Sequence, residues 1–150
     1  MRQFNQQAYD EVDLKAKQKL VEIAKQFGKY NLVGRIEQEH YKKYDILFIT
    51  DDGKTLAFEN EVRQNFNVIE SKYDTIHIPI RKKNTLADFY IVWNDNLTRF
   101  FLIRNKIIKK YANNPTNVQT RYGYAEDFID IPKNEAILYE EKYDNKFRKV

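Results

Sequence analysis

A mixed α/β (α+β) fold in one domain is what this 150-residue sequence predicts. A stripe of apolar residues at helical spacing opens the chain. Two hairpins with strand-like alternation follow it, and no internal repeat or low-complexity segment divides the rest. The length is that of a typical single domain able to bury a proper core.

Ala16, Leu20, Ile23, Ala24 and Phe27 recur at i, i+4, i+7, i+8 and i+11, which predicts a helix over residues 8–27 with Gly28 at its C-terminal cap. Asp13 falls on the same stripe and therefore points toward whatever the helix packs on, whereas Glu11 groups with Leu14, Gln18 and Val21 nearer the flank. Residues 31–37 read as a first strand. Tyr44–Thr50 and Leu56–Val62 read as a hairpin turned at DDGK, and Thr75–Ile80 places Ile76, Ile78 and Ile80 on one face. Residues 87–93 pair with 98–103 across Asn94-Asp95-Asn96, and residues 104–112 form a short basic helix. Beyond Tyr111, NNPTN reads as a loop and FIDIP as a short extended piece, with Asn134 capping a final helix from Glu135.

Hydrophobic residues make up 42 % of the chain and charged ones 32 %, a globular composition with a densely charged surface. There is no cysteine, hence neither a disulfide framework nor a thiolate zinc site. The N-terminus lacks the apolar core of a signal peptide, and no apolar run approaches the roughly 18 residues of a membrane span, so a soluble, intracellular, cytoplasmic protein without a membrane partner is expected. The net charge is +4, yet residues 81–110 alone carry a balance of +6. A basic region beside an acidic constellation suits a protein that holds phosphodiesters, although basic surface also serves solubility. The four glycines form no phosphate-cradling loop, which argues against a nucleoside triphosphatase.

The acidic constellation centres on LAFENEVR, residues 56–63, where Glu59, Glu61 and Arg63 share one strand face. Whether Asp45 joins them depends on the preceding turn. A two-residue loop, Asp52-Gly53, would pair Asp45 with Asn60 and point it away from both glutamates. A three-residue loop, Asp51-Asp52-Gly53, closed by a left-handed glycine, pairs Asp45 with Glu59. Directly opposed carboxylates repel, and a positive group belongs between them. A hard cation such as Mg²⁺ meets that need, because one or two carboxylates with waters and substrate oxygens suffice for it. A wet strand face neutralised by Arg63 or a nearby lysine is the plainer alternative.

These residues resemble the PD-(D/E)xK nuclease superfamily, with its restriction-endonuclease-like fold of a central mixed β-sheet flanked by helices. Tyr44-Asp45 matches the first acid and Glu59-Asn60-Glu61 the second element, in the E-x-E variant with Glu61 where lysine is usual. The register Glu61-Val62-Arg63 would instead put Arg63 at the lysine position and leave no base. The run IPIRKKNTLADFYIVWN is similar to the homing-endonuclease and junction-resolvase branches. The likeness spans about residues 8–105, with a core of about 8–110 and a C-terminal extension, 111–150, for DNA contact or oligomerisation.

The resemblance implies a metal-dependent endodeoxyribonuclease, phage-borne or intron-borne, that works as a homodimer or homotetramer on double-stranded DNA. Asp45, Glu59, the Asn60 carbonyl and Asp13 would hold Mg²⁺, with Mn²⁺ as a substitute. Glu61 would hold the attacking water or act as base, and Lys82 or Lys83 would supply the missing cation. Arg63 and Arg81 would clamp phosphate, and Asn117, Gln119 and Arg121 would read bases. The other reading is a nuclease-like domain that binds nucleic acid or protein without catalysis, as the absent lysine suggests. His77 reads as a structural hydrogen-bonder and His40 carries no signal. Trp93, Tyr111, Tyr122 and Tyr124 suit base stacking but are more often core.

Overall fold

The computed structural model describes residues 6–24, 33–36, 44–50, 52–63, 72–119, 125–144 and 146–150. Helix α1 (Gln6–Ile23) precedes strands β1 (Val33–Ile36), β2 (Ile46–Ile49) and β3 (Thr55–Val62). Next come β4 (Thr75–Pro79), a 3-10 turn at Ile80–Asn84, β5 (Phe89–Trp93), β6 (Arg99–Arg104) and helix α2 (Asn105–Tyr111). The chain continues through β7 (Thr116–Gln119), β8 (Ala125–Pro132), β9 (Ile137–Tyr143) and β10 (Lys146–Lys149). Among the described residues, no helix is long and apolar enough to cross a membrane.

Seven strands form one sheet in the order β1-β2-β3-β5-β6-β9-β10, and three form a second in the order β4-β8-β7. The large sheet is mixed, since β3 and β5 run parallel while its other neighbours are antiparallel. The expected α+β class with a central mixed sheet is therefore what the chain adopts.

Each face of the large sheet buries its own apolar layer. On one side the α1 stripe, Ala16, Leu20, Ile23 and Ala24, packs on Ile46, Phe48, Phe58, Val62, Ile91, Trp93 and Phe100. On the other, Ile76 and Ile78 of β4, Ile129 and Ile131 of β8 and Ile108 of α2 cover Tyr90, Val92, Phe101 and Ile103. Helices flank the sheet as expected, α1 on the first face and α2 on the second. The second face is covered mainly by the small sheet, because β4 and β8 each present two isoleucines to it and pair with one another.

The tail departs furthest from expectation. Lys133–Glu135 is a single 3-10 turn, and the helix predicted from Glu135 is instead strand β9. The physical reason lies on β6, whose outer edge would otherwise leave backbone N–H and C=O groups of a largely buried strand without partners; β9 supplies them, pairing Phe100 with Tyr139 and Phe101 with Leu138. Residues 137–149, assigned by sequence to an extension, thus complete the central sheet. β10 adds Phe147, whose ring meets those of Trp93 and Phe100 at 5.9 and 5.5 Å between centroids.

Candidate active site

The β2–β3 hairpin has the register that the three-residue turn dictates. Ile46 faces Phe58 and Ile49 faces Thr55, so paired positions sum to 104. Gly53 sits at φ 82°, in the left-handed region that a side chain would strain, and its N–H bonds to the Thr50 carbonyl at 3.0 Å. Asp45 lies at a bend just before β2, where its own N–H reaches the Phe58 carbonyl at 2.9 Å. Its Oδ2 accepts the Asn60 N–H at 2.8 Å. A strand residue directs its N–H and C=O to the same edge, so the Asn60 carbonyl also faces the Asp45 side.

Glu59, only 8 % exposed, anchors the centre. Lys82, from the 3-10 turn after β4, places Nζ 3.0 Å from Glu59 Oε2, and Thr85 Oγ1 donates to Oε1 at 3.4 Å. Burial, followed by the charge of Asp45, raises the Glu59 pKa above its ordinary value despite Lys82. From α1, Lys17 Nζ stands 2.8 Å from Asp13 and 3.8 Å from Asp45. Burial raises the Asp13 pKa as well, against the pull of Lys17 and with a smaller push from Asp45. The structure thus brings together Asp13, Asp45, Glu59 and Lys82 from the residues singled out by sequence, and adds Lys17 and Thr85. Lys17 follows Asp13 by four residues, a helical ion-pair spacing visible in the sequence; Thr85 had no such signal.

Glu61 shares the strand face of Glu59 but has other partners. Arg63 Nε pairs with it at 2.8 Å, and the Tyr90 hydroxyl donates to it at 2.6 Å. Burial first, and then Glu61, push the Tyr90 pKa well above its ordinary value. The Arg63 guanidinium also donates to the His77 carbonyl, so both groups are tied into the fold. The Asn60 side chain faces the α1 layer, where Oδ1 accepts from Trp93 Nε1 at 2.8 Å.

The remaining candidates lie farther out. Lys83 is exposed beside Lys82, and Arg81 pairs with Glu126 at 3.2 Å. Asn117 bonds Asp127 across β7 and β8 at 2.9 Å. Gln119 ends β7, and the placement of its side chain falls outside the described residues, as do Arg121, Tyr122, Tyr124 and His40 in full. Nδ1 of His77 contacts Asp130, whose other oxygen accepts from Thr116 at 2.6 Å, which makes His77 part of the small sheet's outer face.

Among the described residues, no three carboxylate or imidazole groups converge closely enough to hold a metal ion by themselves. The donors present still fit Mg²⁺, which takes one or two carboxylates and completes its shell with waters and substrate oxygens. Asp45 and the Asn60 carbonyl lie at one edge of β3 next to Glu59, and the proton affinity of Glu59 is raised by burial and then by Asp45, as expected of a site short of positive charge. Lys17 and Lys82 supply part of that charge.

No family model matches the chain, and no curated protein does. Among solved structures, the chain is similar to a bacterial homing endonuclease, I-Ssp6803I, at 13 % identity and a TM-score of 0.45 over 68 % of this chain and 72 % of that one.

Proposed function

We propose that this protein is a Mg²⁺-dependent endonuclease that hydrolyses phosphodiester bonds in DNA. The observation that carries the reading is that Asp45, at the bend before β2, holds the Asn60 N–H next to Glu59 of β3, whose carboxylate meets the ammonium of Lys82. Asp45, Glu59 and the Asn60 carbonyl would hold the ion, with Asp13 placed to hold its waters. A bound Mg²⁺, or Mn²⁺ in its place, supplies Lewis-acid polarisation of the phosphate and a more acidic water.

The chain's own groups do the rest. Lys82 is 28 % exposed and can turn from Glu59 toward a phosphate oxygen, the electrostatic task of the lysine usual in the E-x-K element. Thr85 keeps one Glu59 oxygen fixed as it does so. Glu61 retains its Arg63 and Tyr90 partners and acts as a support for β3, leaving Lys82 as the better-placed cation and Lys83 as an outer contact to the backbone. Basic residues of the 3-10 turn and α2 offer phosphate contacts around it. One such site cuts one strand, so cleavage of a duplex calls for a homodimer or homotetramer.

A non-catalytic nucleic-acid-binding domain is the second reading. It is favoured by the pairing of Asp13 with Lys17, Glu59 with Lys82 and Glu61 with Arg63, which balances much of the site's charge without a metal. Incubating supercoiled plasmid and branched DNA at low salt with Mg²⁺ or EDTA separates the two. Nicking that needs Mg²⁺ and is lost in Glu59→Ala supports the endonuclease. Salt-sensitive binding with no nicking in Mg²⁺ or Mn²⁺ replaces it with the binding domain.

A further inference from the structure

Leu86 is 66 % exposed, although its two neighbours are buried, Thr85 at 8 % and Ala87 at 1 %. Single exposed leucines are ordinary on protein surfaces. What sets this one apart is the backbone that presents it. Asn105 Nδ2 donates to the carbonyls on both sides of Leu86, Thr85 at 3.0 Å and Ala87 at 2.7 Å. The Ala87 N–H bonds to Thr85 Oγ1 at 3.2 Å, and the Thr85 N–H bonds to the Lys82 carbonyl at 3.1 Å. Asp88 closes the loop onto β3, exchanging bonds of 2.8 Å with the Ala57 N–H and carbonyl. The segment is therefore pinned at every residue around its apolar tip, and with Thr85 and Ala87 facing the core, Leu86 has no route inward.

The tip adjoins the candidate catalytic acids and basic surface. Thr85, which precedes it, touches Glu59, and the clamp residue Asn105 opens α2 with its exposed Lys106 and Lys109. Arg81 and Lys83 are exposed on the turn that precedes it. An apolar side chain on a pinned backbone, with exposed cations on the turn before it and on the helix opened by its clamp residue, fits a duplex, whose phosphates meet the cations while its stacked bases receive an apolar wedge. A membrane would ask for a broader apolar face than one leucine.

We infer that Leu86 is a wedge that enters a base step of the bound duplex next to the strand being cut, and that Asn105 is the positioning residue that keeps it erect. The inference rests on the endonuclease reading for its place at the scissile bond. Unstacking the step gives the backbone the freedom to bend toward Glu59 and Lys82.

The test compares wild type, Leu86→Ala and Asn105→Ala on a perfect duplex and on the same duplex carrying a mismatch at the mapped cleavage position. Leu86→Ala is expected to cut the perfect duplex at least about tenfold more slowly and the mismatched one at nearly the wild-type rate, because the mismatch has already lost its stacking. Equal slowing on both substrates, or no slowing on either, overturns the wedge while the endonuclease reading stands. Sedimentation of both variants accompanies the assay, and a changed oligomeric state in Leu86→Ala overturns the wedge in favour of a protein contact. Should wild type bind without cutting, duplexes scanned with an adenine-analogue fluorophore quenched by stacking decide separately. Brightening that Leu86→Ala abolishes retains the wedge without nuclease activity; binding without brightening, or no binding, overturns it.

Discussion

Lys82 Nζ stands 3.0 Å from Glu59 Oε2, although the two residues are 23 positions apart and belong to different elements. The contact puts an ammonium beside the acid of β3, where the E-x-E spacing leaves no lysine on the strand itself. The charge needed near a scissile phosphate can thus arrive from a turn that follows β4 instead of from β3.

Lys82 and Glu61 make separable predictions. Lys82→Met is expected to lower plasmid nicking by about 10²–10³-fold, the usual loss on removing one preorganised electrostatic donor, with DNA binding little changed. Glu61→Gln removes the charge that faces Arg63 and one of the two oxygens that accept from Arg63 and Tyr90, and is expected to lose about 1–3 kcal/mol of stability while retaining most nicking at a temperature where it is folded. Nicking rates and urea denaturation of both variants check the assignment, and an inactive but fully stable Glu61→Gln returns the base role to Glu61.

The raised pKa values of Asp13 and Glu59 set a pH dependence. A carboxyl whose folded pKa is raised contributes stability that is full below its unfolded value, near 3.8 for Asp13 and 4.5 for Glu59, and lost as pH climbs through the folded value. Above their folded values both groups are charged at a cost, led by burial. Glu59→Gln should therefore melt higher than wild type at pH 7, by up to about 4 °C, with the difference shrinking as pH falls through the carboxylate range. Calorimetric melts across that range measure it; a lower melting temperature for the variant at pH 7 would mean that the Lys82 pair outweighs the burial cost.

Magnesium should relieve the same crowding. Wild-type protein is expected to gain about 2.7 kcal/mol at a Mg²⁺ concentration 100 times its dissociation constant, and Asp45→Asn to gain far less. Thermal shift against Mg²⁺ concentration, without DNA, tests the ion separately from activity. Because protons compete for Glu59 and Asp13, whose carboxyls are raised by burial, half-saturation should require more Mg²⁺ in mildly acidic than in neutral buffer. Identical shifts in wild type and Asp45→Asn would place the ion elsewhere.

Asn60 divides into two functions. Its side chain holds Trp93 on the α1 face, while its carbonyl lies at the Asp45 edge. Asn60→Ala should cost about 1–3 kcal/mol by leaving the buried Trp93 N–H unpaired, yet keep most Mg²⁺-dependent nicking per folded molecule. Stability and nicking lost in proportion by Asn60→Asp but not by Asn60→Ala would implicate charge on the side chain instead.

How much of this the sequence revealed follows from the range of each interaction. Gly53 and the spacing around it specify the hairpin register from Ile46–Phe58 to Ile49–Thr55, so the approach of Asp45 to that end of β3 is legible from a turn, whereas the bend that turns its carboxylate to the Asn60 N–H is not. The α1 stripe likewise puts Asp13 toward the sheet, and the i,i+4 partner Lys17 was there to be read. Thr85 and Asn105 were not, because their roles depend on β5, β6 and α2 meeting after the chain has folded. The tail misled for a related reason: Ile137–Tyr143 becomes a strand in answer to the open edge of β6, which no local pattern in the tail announces.

The ring of Phe147 also carries a consequence in time. A ribosome adds about 5–20 residues per second, so the segment 137–149 emerges some seconds after Asp45, Glu59 and Lys82 have left the exit tunnel. During that interval Trp93 and Phe100 have no β10 ring to close over them, and β6 has no β9 beside it. A nascent chain thus carries every acid of the candidate site without the finished layer behind Asn60. The layer behind Asn60 is thus completed only after those acids are already outside.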